Sequence, residues 1–396
     1  MNVNRPVYLD NQATTPCDPR VLAVMLPWFT ENYANPHSLE HQMGRAAEAA
    51  MEAARGHVAA LIGAEPREIV FTSGATESNN IAIKGAARHA RRIEDPRKRV
   101  ITVATEHKCV LESVADLAED GFDPIFLPVR RDGTLDPQLL VEALAEPTLL
   151  VSIMAVNNET GVIQDLAALA PIVKAAGALL HVDAAQAAGK IPLDLSVGID
   201  LLSISGHKLY GPKGVGALYV RRRPRARVAA LFSGGNQERG LRSGTLPAPL
   251  IVGLGEACRI AGQEMAEDDA RIGALRDRLW RGLVAAFPDL ILNGHARNRI
   301  SGNLNLTFPR LSAQAMMNSM PDLCVSTGSA CSSAEVAPSY VLRAMGLSDA
   351  EASRTLRIGI GRFTSPADID AAISGFVAPN APSSTADGQA SAPCPR

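Results

Sequence analysis

Six short runs of apolar and β-branched residues, none alternating with polar ones, constrain this chain more than any other feature. They are Glu68 to Thr72, Arg99 to Ala104, Leu149 to Val156, Leu179 to Val182, Leu201 to Ile204 and Val215 to Val220. Strands buried on both faces read this way, and such strands belong to mainly parallel sheets covered by helices. Helical periods at Glu77 to Arg92 and Asp165 to Ala176 lie between them. The expected class is therefore α/β.

Beyond about residue 260 the texture changes. Glu264 to Ala286 reads as a long charged amphipathic helix leading into a second unit. Leu290 to Leu292, Asn303 to Phe308 and Leu356 to Ile360 then read as strands of a smaller α+β domain. The expected division is a large domain over 15–260, a small domain over 1–14 and 261–377, and a disordered tail over 378–396. That tail holds five Ala, four Pro and three Ser with no large apolar side chain, so it has nothing to anchor it to a core.

Composition excludes several classes. With 396 residues, 46% hydrophobic and 20% charged, the chain can bury a substantial core. No apolar run approaches the roughly 20 residues that span a bilayer, and the N-terminus lacks a secretory pattern. A net charge of −2 leaves no basic footprint for nucleic acid or an anionic membrane. A soluble, cytoplasmic protein is expected. The six cysteines, Cys17, Cys109, Cys258, Cys324, Cys331 and Cys394, are scattered without zinc-site spacing. Any that matters should matter as a free thiol.

The polar residues fall where the apolar runs end. One run leads into Thr72-Ser73-Gly74-Ala75-Thr76, another into Thr105-Glu106-His107, and a third into Asn157-Asn158-Glu159. A fourth ends at His181-Val182-Asp183 with Gln186 beyond, and a fifth at Ser203-Ile204-Ser205-Gly206-His207-Lys208. Ligands of open parallel sheets bind outside the carboxyl ends of the strands. Each residue also has a plainer explanation: a strand-to-helix turn at Gly74, a helix cap at Asp183, a structural His107, a solvated Lys208. Yet Lys208 sits between an apolar run and the glycine-rich 211–216 segment, where partial desolvation would suit a Schiff-base lysine. Pyridoxal phosphate needs such a lysine, an acid beside its ring nitrogen, a phosphate cup and a stacking group. Lys208, Asp183, the Ser73 to Thr76 turn and His107 supply that set together.

The longer motifs are Tyr8-Leu-Asp-Asn-Gln-Ala-Thr-Thr-Pro16, Asn35-Pro-His-Ser38, Phe71-Thr-Ser-Gly-Ala-Thr-Glu-Ser78 and Thr105-Glu-His-Lys108. Further on come Val156-Asn-Asn-Glu159, His181-Val-Asp-Ala-Ala-Gln186, Ser205-Gly-His-Lys-Leu-Tyr-Gly-Pro-Lys-Gly214, Arg242-Ser-Gly-Thr245 and Gly328-Ser-Ala-Cys-Ser-Ser333. In these motifs, from about residue 6 to about 377, the chain resembles the cysteine desulfurases of the NifS/IscS type, within the class V aminotransferases of fold type I. The Asp-Asn-Gln-Ala-Thr-Thr-Pro run is most similar to mitochondrial and alphaproteobacterial members.

The resemblance implies a role for each matching residue. Lys208 would carry pyridoxal phosphate and move protons at the substrate Cα, Asp183 would pair with the ring nitrogen, and Gln186 and Asn158 would bond the ring hydroxyl. His107 would stack on the ring and assist proton transfer. Ala75, Thr76, Ser205 and His207 would form the phosphate cup, and Thr245 would reach the phosphate of a neighbouring subunit, which implies a homodimer. Arg357 would grip the substrate carboxylate with Asn158 nearby, a task suited to a planar guanidinium. Cys331, within the small polar stretch Ser326 to Glu335, would be the nucleophile on an accessible, mobile loop. The implied reaction removes sulfur from L-cysteine, gives L-alanine, and leaves a persulfide on Cys331 for an acceptor protein.

After Gly361-Arg-Phe-Thr-Ser365 only one short helical stretch, Ala367 to Val377, precedes the tail. Members that serve iron–sulfur assembly usually continue with a further scaffold-binding segment. The acceptor is therefore open between an iron–sulfur scaffold and another protein, such as a transfer-RNA thiolation enzyme. An aminotransferase would have no use for Cys331, and a silent partner would lack Lys208 or Asp183. A rhodanese-like sulfurtransferase would leave the cofactor set unexplained. Selenocysteine as a substrate stays open.

Overall fold

The computed structural model describes residues 6–328 and 338–378. The strands among them are, in chain order, β1 (Val7–Tyr8), β2 (Ile69–Thr72), β3 (Arg99–Val103), β4 (Asp123–Leu127), β5 (Thr148–Ser152) and β6 (Leu179–Asp183). There follow β7 (Leu201–Ser205), β8 (Gly216–Val220), β9 (Ile291–Leu292), β10 (Asn303–Thr307), β11 (Leu323–Cys324) and β12 (Thr355–Gly359). β2 to β8 make one seven-stranded sheet in the order β2-β8-β7-β6-β5-β3-β4. Neighbours from β7 to β4 are parallel, and β8 runs antiparallel to both β7 and β2. Two reversals restore direction, so β2 points the same way as the parallel strands. Their carboxyl ends therefore line one edge.

Every residue of β2, β5 and β7 is buried, which is why those runs show no polar alternation. β4 had no such signature. It opens with Asp123-Pro124, exposes Phe126, and lies at the sheet edge, where proline and exposure are tolerated. The run expected to be a strand to Val156 leaves the ladder after Ser152, and its backbone continues beside β6 through bonds from Ile153 N to His181 O and Ala155 N to Asp183 O.

A second, antiparallel sheet has the order β12-β10-β9. Its core includes Leu279, Leu306, Phe308, Leu356 and Phe376. The Ala248–Ala286 helix serves both cores: Ile251, Leu254 and Cys258 pack against the large sheet's cluster, while Ile272, Leu279 and Leu283 belong to the small one. It begins 16 residues earlier than the expected Glu264 start, because Pro249, Gly253 and Gly255 mask its periodicity. Those glycines serve contact, not flexibility: a Cβ on Gly255 would lie 2.5 Å from Ala54 Cα of the Gln42–Ile62 helix.

The N-terminal segment ties the sheets together. β1 pairs in parallel with β11, and Asp10 bridges Gly359 at the end of β12. The chain then crosses to the large sheet, where Thr15 N donates to His207 O at 2.9 Å. Among the described residues, no helix is long and apolar enough to cross a membrane.

Candidate active site

The site lies along the carboxyl edge of the large sheet. Lys208 ends the short helical turn Gly206–Lys208 directly after β7. Its Nζ donates to Gln12 O and Ala13 O, both at 2.7 Å, so the ammonium is held by the N-terminal segment. Asp183, buried at the end of β6, accepts from Ala185 N at 2.9 Å and from Asn79 Nδ2 at 2.7 Å. Gln186 follows one helical turn later, with Nε2 donating to Gln12 O at 2.8 Å and Oε1 accepting from Lys190 Nζ at 2.6 Å. Lys208 and Gln186 thus converge on a single carbonyl.

His107 caps the Lys108–Ala115 helix, its Nδ1 accepting from Cys109 N at 3.2 Å and lying 3.0 Å from Cys109 Sγ. Burial pulls its pKa below the usual range, against Asp183 and with Lys208 and Lys108. The ring is therefore neutral at pH 7, and with Nδ1 accepting, its proton sits on Nε2. Burial pushes the Cys109 thiol up to about 12, with Asp183 adding to the effect. That thiol is unreactive. Glu106, fully buried, is pushed well above the carboxylate range by burial and by Asp183.

The Ala75–Arg92 helix begins at the end of β2 with Gly74 as its cap. No side chain caps it, and Gly74 has φ 149° and ψ −176°, a conformation nearly restricted to glycine. A Cβ on Gly74 would meet only Ser205 Oγ, at 3.8 Å. The start of the helix is thus an open cup with backbone N–H groups at its positive end. His207, two residues past Ser205, has Nδ1 3.0 Å from Thr14 Oγ1, and burial lowers its pKa to about 4. Burial would raise Glu77 in the first turn, but bonds from Arg242 and Ser73 outweigh this and hold it low. Thr245, three residues past Arg242, is exposed.

Arg357 on β12 points at this rim from the small sheet. It is 3% exposed; its guanidinium donates to Asp10 Oδ1 at 2.8 Å and to Asn158 O at 3.1 Å, while its Nε is buried without a partner. Asn158 Oδ1 is likewise buried and unpartnered. Cys331 and its neighbours over 329–337 lie outside the described residues, as does the tail from 379 on. The flank beyond is anchored by Glu159, whose Oε2 accepts from Ser339 Oγ at 2.5 Å.

This arrangement fits pyridoxal phosphate on its own chemistry: an amine, a buried carboxylate held by donors, an uncapped helix start with room for an anion, and unsatisfied polar atoms at Asn158 and Arg357. A cavity of about 800 Å³ walled by Arg67, Arg92, Arg223 and Arg227 opens at the opposite edge of the sheet and shares none of these groups. Gln12, Ala13, Asn79 and Lys190 were not singled out from the sequence. Gln12 and Ala13 stand in the Tyr8 to Pro16 motif, but they act through backbone carbonyls, which carry no residue signature.

Comparison with known proteins agrees. Residues 7–372 match the family model for aminotransferase class-V. A human cysteine desulfurase is 53% identical over 369 residues, covering 93% of this chain and 80% of that protein. The solved structure of a NifS-like protein superposes with a TM-score of 0.87 at 37% identity, covering 94% of this chain and 98% of that one. SspA, solved in complex with cysteine, gives a TM-score of 0.79 at 38% identity, covering 90% of this chain and 99% of that one.

Proposed function

We propose that this chain, which belongs to the class-V aminotransferase family, is a pyridoxal-phosphate-dependent cysteine desulfurase that takes sulfur from L-cysteine and releases L-alanine. The observation that carries the site assignment is Lys208, held by Gln12 and Ala13 at the sheet edge where Asp183 ends the neighbouring strand.

Pyridoxal phosphate, when bound, supplies the electron sink for the pair left as the substrate Cα loses its proton. Lys208 would hold the cofactor and move the proton at the substrate Cα. Asp183, oriented by Asn79 and Ala185 N, would pair with the ring nitrogen. Gln186 and Asn158 would bond the ring hydroxyl, and neutral His107 would cover the ring and assist proton transfer. The backbone N–H groups of Ala75 and Thr76, with Ser205 and His207, would hold the phosphate. Arg357 and Asn158 orient the substrate carboxylate. The Cys331 thiolate attacks the substrate sulfur: an S–S bond forms, the C–S bond breaks, and its electron pair stays with Cβ, which is protonated in L-alanine.

The active unit in this reading is a cytoplasmic homodimer in which Thr245 reaches the phosphate of the partner subunit. Its exposed position is compatible with that reach. The persulfide passes to an acceptor protein, an iron–sulfur scaffold or another thiolation enzyme. The test pairs the visible spectrum of purified protein with alanine and sulfide formation from L-cysteine plus reductant, for wild type and Cys331→Ala. A lysine-bound cofactor band together with loss of alanine formation in the variant supports the reading. A band with activity untouched by the substitution keeps the cofactor and rejects the sulfur route.

A further inference from the structure

Just beyond β6 the chain makes helical turns over 184–191, with Ala187 N and Ala188 N bonded to Ala184 O, and Lys190 N and Ile191 N bonded to Ala187 O. Residues four apart on such turns share a face. Gln186 and Lys190 therefore meet, Nζ to Oε1 at 2.6 Å, while Ala187 and Ala188 are fully buried on the other side. Gly189, at φ +74°, directs the chain back under the rim; a Cβ there would come within 3.0 Å of Ala261 Cβ.

The Gln186 amide has its orientation decided by its partners. Gln12 O can only accept, so Nε2 must face that carbonyl, which turns Oε1 to the lysine. One N–H of Nε2 is left over, on a group that shares the Gln12 carbonyl with Lys208.

We propose that Lys190 is a positioning residue for the cofactor reaction: it fixes the Gln186 amide and polarises its remaining N–H toward the ring hydroxyl. This rests on the placement of Gln186 at that hydroxyl in the preceding section. In its protonated form Lys190 delivers charge through one amide and strengthens that amide as a donor. It also makes an extra proton at the cofactor's lysine linkage less favourable. Burial lowers the pKa of Lys190 to about 7, and the nearby Lys208 and Arg357 act in the same direction. Asp268 and Asp269 line the same small cavity of about 30 Å³, and Asp268 is already engaged by Arg362 at 2.7 Å and Arg271 at 3.0 Å.

The experiment is a pH titration of the visible cofactor band of the holoenzyme, for wild type, Lys190→Met, Lys190→Arg and Gln186→Leu, alongside cofactor dissociation from each. In Lys190→Met the spectral midpoint is expected to rise by about one pH unit, with Lys190→Arg returning toward wild type. Gln186→Leu should move the midpoint at least as far. A midpoint that moves in Gln186→Leu but stays at the wild-type value in Lys190→Met overturns the role of Lys190 alone. Midpoints unmoved in both variants overturn the placement of Gln186 and the proposal with it. If Lys190→Met does not yield folded protein, Lys190→Gln, uncharged and of similar reach, gives the same reading.

Discussion

Asn79, buried inside the Ala75–Arg92 helix, donates its side-chain N–H to Asp183 Oδ2 at 2.7 Å, linking the helix that would hold the phosphate to the carboxylate that would hold the ring. Asp183 is a strand-end acid in a buried setting, where a carboxylate needs hydrogen-bond donors facing it. Replacing Asn79 by Ala removes one of the donors that face Asp183 among the described residues, leaving Ala185 N. A hydrogen bond to a charged group contributes about 1.5–3 kcal/mol, so cofactor retention is expected to fall at least about tenfold. Cofactor content after dialysis and alanine formation measure it. Retention equal to wild type would mean that Asn79 does not support Asp183.

The cup at Gly74 gives a sharper steric expectation. Gly74→Ala places a methyl group toward Ser205 Oγ and forces a non-glycine residue into the φ 149° conformation. The strain should cost about 1–3 kcal/mol of stability. The methyl group would also narrow the space an anion needs at the helix start. The expected result is a folded protein with a lower denaturation midpoint and weakened binding of both pyridoxal phosphate and inorganic phosphate. Unchanged phosphate affinity would remove Gly74 from the cup.

Arg357 separates binding from chemistry. Its guanidinium already spends donors on Asp10 and Asn158 O, leaving Nε buried and unpaired. Lysine keeps the charge but loses the planar fork. Arg357→Lys is therefore expected to raise KM for L-cysteine by about 10–100-fold, equivalent to one charge-assisted bond, with kcat changed only a few-fold. Initial-rate kinetics decide it. A loss confined to kcat would place Arg357 at the reacting atoms and not at the carboxylate.

How much of this was legible before the structure depends on how each residue acts. Lys208, Asp183 and His107 each follow an apolar run, so their position at the rim could be read from pattern alone, and the parallel sheet followed from strands buried on both faces. Asn79 and Gln12 could not be found that way. Asn79 meets Asp183 across 104 positions and Gln12 meets Gln186 across 174, and neither partnership leaves a local period. Lys190 did leave a trace, four residues after Gln186, but an alanine- and glycine-rich turn masks it as ordinary loop. The edge strand β4 and the early start of the Ala248–Ala286 helix were hidden for the opposite reason: their prolines and glycines argue locally against elements that packing imposes.

The last expectation concerns stability and not chemistry. His181, fully buried in β6, sits between Ser152 Oγ at 2.8 Å and Ser203 Oγ at 3.1 Å, and burial drives its pKa down to about 3. Below its ordinary pKa near 6.5 the unfolded chain binds a proton that the folded chain refuses. The group's contribution is thus fully present above pH 6.5 and is lost as pH falls toward 3. At pH 5 the loss relative to pH 7.5 should be about 2 kcal/mol. Glu159, raised to about 6 chiefly by burial, acts in the opposite sense over pH 4.5 to 6, so the wild-type curve alone hides the effect. Comparing urea unfolding at pH 5.0 and 7.5 for wild type and His181→Gln isolates it. The variant is expected to be less stable at both values, yet to gain about 2 kcal/mol relative to wild type on acidification. Parallel acid limbs in the two proteins would show that His181 takes up its proton in the folded state.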